Sequence, residues 1–292
     1  MFSTLTERGA SATLDALALG ANDYVTKPTA SRDRAAAFDQ VRGSLVPLVR
    51  LWGRRRAIAA TAGRRTPAPA PAPARTAPPV ALTVRAPRGP FRTPQAIVLG
   101  VSTGGPMALA KLVTSLPASL PIPVVIVQHM PPVFTALLAQ RLDAQSAISV
   151  VEAEEDMPVL PGRVHIAPGG RHLKIESRAN GLRFHLDDGP LENSCRPAVD
   201  VLFRSAAKHW GASALAVILT GMGSDGLEGV RILRGEGARV IAQDEQSSVV
   251  WGMPGSVVRE GLADEVLPLD DIAGAIVASV PMAGALAGRA AK

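Results

Sequence analysis

Residues 95–106 read QAIVLGVSTGGP, and the chain continues as MALAKLVTSL through residue 116. The apolar run rich in Val, Ile and Leu predicts a buried strand, and the second stretch has the apolar spacing of an amphipathic helix. Between them lie a Ser, a Thr and two Gly residues, where the chain must turn from strand into helix. Such a corner can bind a phosphate, can present a nucleophile, or can simply be a tight turn.

The same alternation of strand and helix recurs along the chain after residue 94. Apolar, β-rich runs occur at 95–101, 123–129, 148–153, 214–220 and 238–245. Helical patterns lie at 107–116, 134–145, 197–210, 227–237 and 256–261. This alternation predicts an α/β fold with right-handed crossovers and a doubly wound, mostly parallel sheet. Residues 161–188 instead have turn glycines between strand-like runs, which predicts a β-hairpin insertion.

The composition limits the classes of function. Of the 292 residues 47% are hydrophobic but only 3% are aromatic, which favours an aliphatic α/β core over an aromatic-rich binding module. The single Cys195 excludes an intrachain disulfide and argues against a thiolate metal site. No signal-peptide pattern occurs, and the apolar stretch 272–288 is interrupted by Pro281 and is shorter than the roughly 20 residues of a membrane span. We therefore expect a cytoplasmic protein without membrane insertion, ending in an amphipathic helix.

Residues 51–92 are predicted to form a linker. They contain the Pro- and Ala-rich run 64–80, which favours extended polyproline II structure. They also contain nine of the 31 Lys and Arg residues and no acidic residue, so the rest of the chain has 22 basic and 25 acidic residues. The net charge of +6 therefore belongs to the linker. Because no basic face with interleaved aromatics is visible, we expect no nucleic-acid binding.

The predicted linker separates two unequal parts of the chain. Residues 93–290 carry the alternating pattern and form the expected main domain. Residues 1–50 contain strand-like runs at both ends of the amphipathic stretch 10–21, which predicts a small α/β fragment. A fragment of this size buries too little apolar surface to be stable alone.

Three reactive side chains follow predicted strands. Ser102 follows the first strand of the main domain, His129 follows the second, and Asp225 follows the run 214–220. Since ligands and chemistry collect at the carboxyl ends of parallel strands, we expect the three to lie together. A hydroxyl nucleophile, an imidazole base and an orienting carboxylate are the components of acyl transfer. Residues 100–104 also match G-x-S-x-G, and the N–H groups that begin the next helix could bind an oxyanion.

Each of these features also has a simpler interpretation. A glycine-rich corner is more often a nucleotide site or a turn, although this corner matches neither G-x-G-x-x-G nor G-x-x-x-x-G-K-[ST]. His129 could be a hydrogen-bonded structural residue and Asp225 a helix cap. The order Ser, His, Asp also differs from that of the α/β-hydrolases. The residues alone leave open a hydrolase, a nucleotide-binding α/β module and a non-catalytic docking adaptor.

Six stretches of the main domain together resemble the chemotaxis methylesterase family. They are GVSTGGP (100–106), QHMPPVFTALLAQRLD (128–143), HIAPGGRHLKI (165–175), RPAVDVLF (196–203), LTGMGSDGLEGV (219–230) and AQDEQSSVVWGMPGSV (242–257). The resemblance implies a doubly wound fold with a β-hairpin, and a serine hydrolase that demethylates glutamyl methyl esters and deamidates glutamines on chemoreceptors. It implies no metal ion and no cofactor.

The resemblance also assigns roles to individual residues. Ser102, His129 and Asp225 would form the catalytic set, with Thr103 and Met222 beside it. Met222 would act through its backbone N–H at the oxyanion. No motif of the family uses a cysteine nucleophile at position 195, so we expect a small packed side chain there. The expected substrate is a protein, the cytoplasmic helices of a methyl-accepting chemoreceptor.

The N-terminal segment resembles the second half of a response-regulator receiver domain. Ser3 stands at the family's hydroxyl position, Tyr24 at that of the switch aromatic, and Lys27, in DYVTKP, at that of the invariant lysine. The half that carries the acidic metal-binding pair and the phosphorylated aspartate does not appear in the sequence. We therefore expect a truncated receiver fragment, which argues against contact with a histidine kinase.

Overall fold

A computed structural model describes two main parts of the chain. These are residues 1–4, 6–21 and 23–27 near the N-terminus and residues 91–281, with residues 35, 38–39, 41–43, 45–46, 48–50 and 52–53 between them. Apart from residues 52, 53, 91 and 92, the predicted linker 51–92 lies outside the described residues. So does the part of the predicted terminal helix beyond residue 281.

Strands and helices alternate through most of the described chain. In chain order the elements are β1 (Phe2–Ser3), α1 (Glu7–Ala18), β2 (Val25–Thr26), β3 (Ala96–Val101), α2 (Gly105–Thr114), β4 (Val124–Gln128), α3 (Phe134–Gln145), β5 (Ser149–Glu152), β6 (Arg163–Ile166), β7 (His172–Arg178), β8 (Gly181–Asp187), α4 (Val199–Trp210), β9 (Ala214–Ile218), α5 (Leu227–Gly235), β10 (Arg239–Gln243), α6 (Met253–Arg259), β11 (Glu265–Leu267) and α7 (Leu269–Ser279). No helix in these described ranges is both long and apolar enough to cross a bilayer.

Seven of the strands form one sheet in the order β11-β10-β9-β3-β4-β6-β5. Every pair of neighbours in this sheet is parallel. The chain builds outward from β3 first to one side and then to the other, so the predicted doubly wound sheet is confirmed. Because β3 lies between β4 and β9, the loops that follow these three strands meet at one edge.

Helices cover both faces of the sheet. Alternate residues of a strand point to opposite faces, so Ile97 and Leu99 of β3 enter one core and Val98 enters the other. Helices α2, α3 and α7 pack on the first face, and helices α4, α5 and α6 pack on the second together with the β7–β8 pair. All six residues of β3 are buried, which explains its continuous apolar sequence.

The predicted hairpin is confirmed, but it is shorter than the predicted stretch 161–188. Only β7 and β8 form the antiparallel pair. Strand β6 instead joins the central sheet in parallel between β4 and β5, where Val164 and Ile166 are fully buried. Strand β11 was not predicted, because three partly exposed residues give no recognisable pattern.

The N-terminal segment packs against the main domain. Strands β1 and β2 pair in parallel, and the buried residues Ala10, Leu14 and Leu17 of α1 join the core beneath α2 and α3. The Tyr24 ring stacks on Phe134 of α3, with centroids 4.9 Å apart and planes within 5°. The segment thus buries its apolar face on the larger domain, which supplies the surface that it lacks alone.

Gly100 gives a direct test of this packing. A Cβ there would lie 2.5 Å from Cγ1 of Val199 in α4, so we expect Gly100→Ala to lower the free energy of unfolding by about 1–3 kcal/mol. The control is Gly274→Ala in α7, where a Cβ meets nothing within 4 Å. The control should raise stability by about 0.5–1 kcal/mol. Urea denaturation measures both, and a Gly100→Ala variant as stable as the parent would contradict the packing.

Candidate active site

Ser102 lies at the corner between β3 and α2. Its carbonyl oxygen accepts hydrogen bonds from the Gly105 N–H at 2.7 Å and from Gln128 Nε2 at 3.0 Å. Gly104 follows in the left-handed region with φ of 79°, and a Cβ there would lie 2.5 Å from the side chain of Val249. The corner therefore requires glycine for both its backbone conformation and its space. Ser102 is held in this way just before the first turn of α2.

Gln128 links this corner to the end of β4. Its Nε2 donates to the carbonyl oxygens of Ser102 and His129, at 3.0 and 3.2 Å. The side chain is buried, and a Cβ at Gly105 would lie 1.8 Å from its Oε1. One amide thus fixes the backbone of two reactive residues relative to each other. The sequence gives no local signal for this role, because it depends on two loops that meet only in the fold.

His129 and Asp225 form a buried pair. His129 Nε2 lies 2.7 Å from Asp225 Oδ2, and the two side chains are 11% and 3% exposed. The Asp225 carboxylate also accepts the N–H groups of Val199 at 2.7 Å and Asp200 at 3.2 Å, which begin α4. A negative charge is favoured there by the helix dipole. Burial alone would raise the pKa of Asp225, but the bonds from His129 and from these N–H groups lower it.

Asn193 and Asp200 extend the pair. The sequence patterns identify neither of them as a site residue. Asn193 Nδ2 donates to Asp200 Oδ2 and to Asp225 Oδ1, at 2.8 Å each. Asp200 Oδ1 in turn accepts the Gly229 N–H at 2.7 Å. Burial and the charge of Asp225 raise the pKa of Asp200 to about 6, against the bond from Gly229. Asp225 is therefore oriented by polar groups on both of its oxygens.

A tight turn brings Asn193 and Cys195 to the site. Glu192 and Cys195 exchange both backbone hydrogen bonds, at 3.1 and 2.9 Å. The two residues between them, Asn193 and Ser194, have φ of 52° and 62°, the conformation of a two-residue hairpin turn. Cys195 Sγ lies 3.5 Å from His129 Nδ1. The expectation of a merely packed cysteine is therefore wrong: this turn carries the thiol to the ring.

Ser102, Thr103, His129 and Met222 all line one cleft of about 750 Å³. Among the described residues no hydrogen bond joins the Ser102 hydroxyl to the His129 ring, and Cys195 occupies the Nδ1 side. If Asp225 accepts a proton from Nε2, Nδ1 carries the lone pair that faces the cleft. Such contacts between nucleophile and base often tighten only when substrate binds.

Backbone donors lie beside Ser102. A Cβ on Gly221 would lie 2.9 Å from Cβ of Ser102, so the chain before Met222 passes directly beside the serine. Within the described part of the chain, the N–H groups of Thr103 and Met222 donate to no protein acceptor. Both N–H groups thus lack an acceptor in this part of the protein, and both residues line the cleft.

Of the three receiver-like residues, Ser3 and Lys27 do not line this cleft, whereas Tyr24 does. The Ser3 hydroxyl bonds to Gly9 and Thr13, and the Lys27 ammonium lies 5.7 Å from the Phe2 ring centroid. Tyr24 stacks on α3 as described above.

Asp23, the residue before Tyr24, lines the cleft as well. Burial raises the pKa of the Asp23 carboxyl, while bonds from the Tyr24 N–H and the Thr103 hydroxyl partly lower it. Asp23 and Tyr24 also line the same cleft as Ser102. The N-terminal segment therefore forms part of the rim around the candidate site.

The environment of His129 predicts an unusual titration. Burial of the ring lowers its pKa, but the bonds to Asp225 and Cys195 outweigh burial and raise the pKa to about 9. NMR titration of the His129 ring should show this value, and Asp225→Asn should bring it below the ordinary 6.5. Since the folded pKa is the higher one, the pair stabilises the fold fully below pH 6.5 and loses this contribution as pH rises through about 9. A wild-type pKa near 6.5 would contradict the geometry.

Comparison with known proteins agrees with this arrangement. Residues 97–276 match the family model described as CheB methylesterase. The chain is 50% identical over 270 residues to a protein-glutamate methylesterase/protein-glutamine glutaminase of Nocardioides sp., covering 92% of this chain and 71% of that protein. A protein of the same name from Trichodesmium erythraeum is 45% identical over 277 residues, covering 95% and 76%.

A solved structure gives the same result. The fold is similar to the CheB methylesterase catalytic domain of Thermotoga maritima, with a TM-score of 0.63 and 45% identity. The match covers 64% of this chain and 99% of that domain. On both sequence and structure, the chain belongs to the CheB methylesterase family.

Proposed function

We propose that this chain is a protein-glutamate methylesterase and protein-glutamine glutaminase that acts on chemoreceptors during chemotaxis adaptation. The observation that carries the proposal is the buried His129–Asp225 pair, which opens onto the same cleft as Ser102. The names of the relatives support the substrate class. The proposal includes a cytoplasmic location, residues 93–290 as the catalytic domain, residues 51–92 as a linker and residues 1–50 as a receiver-like segment.

Ser102 is the proposed nucleophile. Its Oγ attacks the side-chain carbonyl carbon of a glutamyl methyl ester, and His129 accepts the hydroxyl proton at Nδ1 in its neutral form, whose fraction grows as pH rises toward the His129 pKa of about 9. The resulting oxyanion is stabilised by the N–H groups of Thr103 and Met222. The C–O bond to methanol then breaks, and His129 returns its proton to the leaving methoxide. For a glutamine side chain the leaving group is ammonia.

Water completes the reaction. It attacks the acyl-enzyme carbonyl while His129 takes one of its protons, and the C–O bond to Ser102 breaks as that proton passes to the serine oxygen. The products are glutamate and free enzyme. The protons in both steps are carried by His129 and water, so the proposed reaction uses no metal ion and no organic cofactor.

Asp225 is the proposed orienting residue. Its bond to Nε2 keeps the proton of the neutral imidazole on Nε2, so that Nδ1, which the Cys195 thiol contacts, is the proton acceptor, and its charge stabilises the imidazolium formed in each step. The N–H groups of α4 and the Asn193 amide keep Asp225 ionised and in place. Asn193 and Gln128 are positioning residues in this scheme, since they act through Asp225 and through the backbone.

Replacement of the nucleophile tests the proposal. Ser102→Ala should reduce methanol release from methylated receptor at least about 10³-fold, because no hydroxyl remains to form the acyl-enzyme. Ser115→Ala, at the exposed end of α2, is the control and should keep the parent rate.

The opposite outcome has a clear meaning. Near-normal methanol release by Ser102→Ala would refute serine catalysis and direct attention to Cys195, whose thiol contacts the same ring. Loss of turnover in a Cys195→Ala variant would then identify the thiol as the nucleophile.

A further inference from the structure

We propose that His129 and Cys195 form an inhibitory binding site for Zn²⁺ inside the candidate active-site cleft. Among the described residues, His129, Cys195 and Asp225 are the one group of three or more His, Cys, Asp or Glu side chains placed to hold a metal ion, and their ligand atoms all lie within 4.8 Å of one another. Imidazole nitrogen and thiolate sulfur are ligands that Zn²⁺ prefers. Metal binding stands independently of the proposed hydrolase function, whereas inhibition rests on it.

The distance between the two ligand atoms fits zinc. Cys195 Sγ lies 3.5 Å from His129 Nδ1. Zn–N bonds of about 2.05 Å and Zn–S bonds of about 2.3 Å, at a tetrahedral angle, place nitrogen and sulfur roughly 3.5 Å apart. The separation of the two atoms therefore matches that of two ligands on one zinc ion.

Asp225 provides the outer support that zinc-bound histidines commonly have. Its carboxylate lies 2.7 Å from Nε2, on the side of the ring opposite the thiol. A carboxylate that accepts the second ring N–H fixes the ring and makes the first nitrogen a better ligand. The bond that prepares His129 as a base therefore also prepares it for a metal.

The backbone further fixes the thiol. Cys195 closes the two-residue turn from Glu192, and Arg204 forms an ion pair with Glu192 next to that turn. Cys195 is partly exposed and lines the cleft together with Ser102. An ion bound here would keep its remaining coordination positions open to water or to the serine hydroxyl. A single cysteine cannot build a closed structural zinc site, but it suffices for an open, inhibitory one.

Zinc binding would remove the base. The ion takes the Nδ1 lone pair that accepts the serine proton, and any proton on Nδ1 passes to solvent together with the Cys195 thiol proton as the Zn–N and Zn–S bonds form. No oxidation or reduction is involved, so a chelator reverses the inhibition. Because binding releases a proton, inhibition by a fixed Zn²⁺ concentration should strengthen as pH rises.

Cobalt serves as the direct probe of the site. Co²⁺ added to the whole chain should give a thiolate-to-metal charge-transfer band that saturates at one equivalent, and Zn²⁺ should abolish it. Cys195 is the only cysteine, so the band reports this residue alone. The band should be absent in Cys195→Ser, and His129→Gln should weaken Co²⁺ binding at least about tenfold.

The matched control removes a different histidine. His185 lies in β8 and pairs with Glu155 away from the cleft, so His185→Gln should keep both the band and the affinity. A wild-type chain without the band would overturn the proposal. So would a His129→Gln variant that binds Co²⁺ as tightly as the wild type.

Turnover then tests inhibition. With each variant compared to its own metal-free rate, Cys195→Ser and Cys195→Ala should raise the Zn²⁺ concentration for half-inhibition of methanol release at least about tenfold. If Zn²⁺ inhibits both variants at the same concentration as it inhibits the wild type, the inhibitory site is refuted. A charge-transfer band in a wild-type chain without esterase activity would instead refute the proposed function and leave the metal site intact.

Discussion

The arrangement of the site depends on one carboxylate, that of Asp225, held between the N-terminus of α4 and the His129 ring. A buried carboxylate is stable only where hydrogen-bond donors replace water, and here the donors come from the helix backbone, from Asn193 and from the imidazole. The helix thereby fixes the acid, and the acid fixes the tautomer of the base. Removal of any of these donors should therefore alter how firmly the tautomer of the His129 ring is fixed.

The parallel sheet makes this convergence possible. Strands β3, β4 and β9 are neighbours, so the loops that carry Ser102, His129 and Asp225 leave the sheet side by side although they are far apart in sequence. Close packing at the corner then requires small residues. Gly105 leaves room for the Gln128 amide that joins two of these loops. The packing of Gln128 against Gly105 thus stabilises the fold and positions the site at the same time.

Much of the architecture could be predicted from the sequence, because apolar residues form continuous runs in buried strands and recur every three to four residues in amphipathic helices. The helix pattern at 134–145 coincides with α3. The four residues of β6 precede a Pro–Gly–Gly turn, so the sequence pattern predicts them as part of the hairpin, whereas the structure places them in the central sheet. The roles of Asn193 and Cys195 could not be predicted, since they arise from two consecutive left-handed residues and from contacts with distant loops. Such tertiary contacts leave no local period in the sequence.

Ser102, His129 and Asp225 are proposed to act as one unit, which a double-variant cycle can establish. Methanol release from methylated receptor would be measured for Ser102→Ala, for Asp225→Asn and for the two combined. If the acid works only through the base, and the base only on the serine, the combined variant should be no slower than Ser102→Ala alone. If the losses of transition-state stabilisation in the two single variants add in full, Asp225 acts independently of the serine, and the three residues do not form one unit.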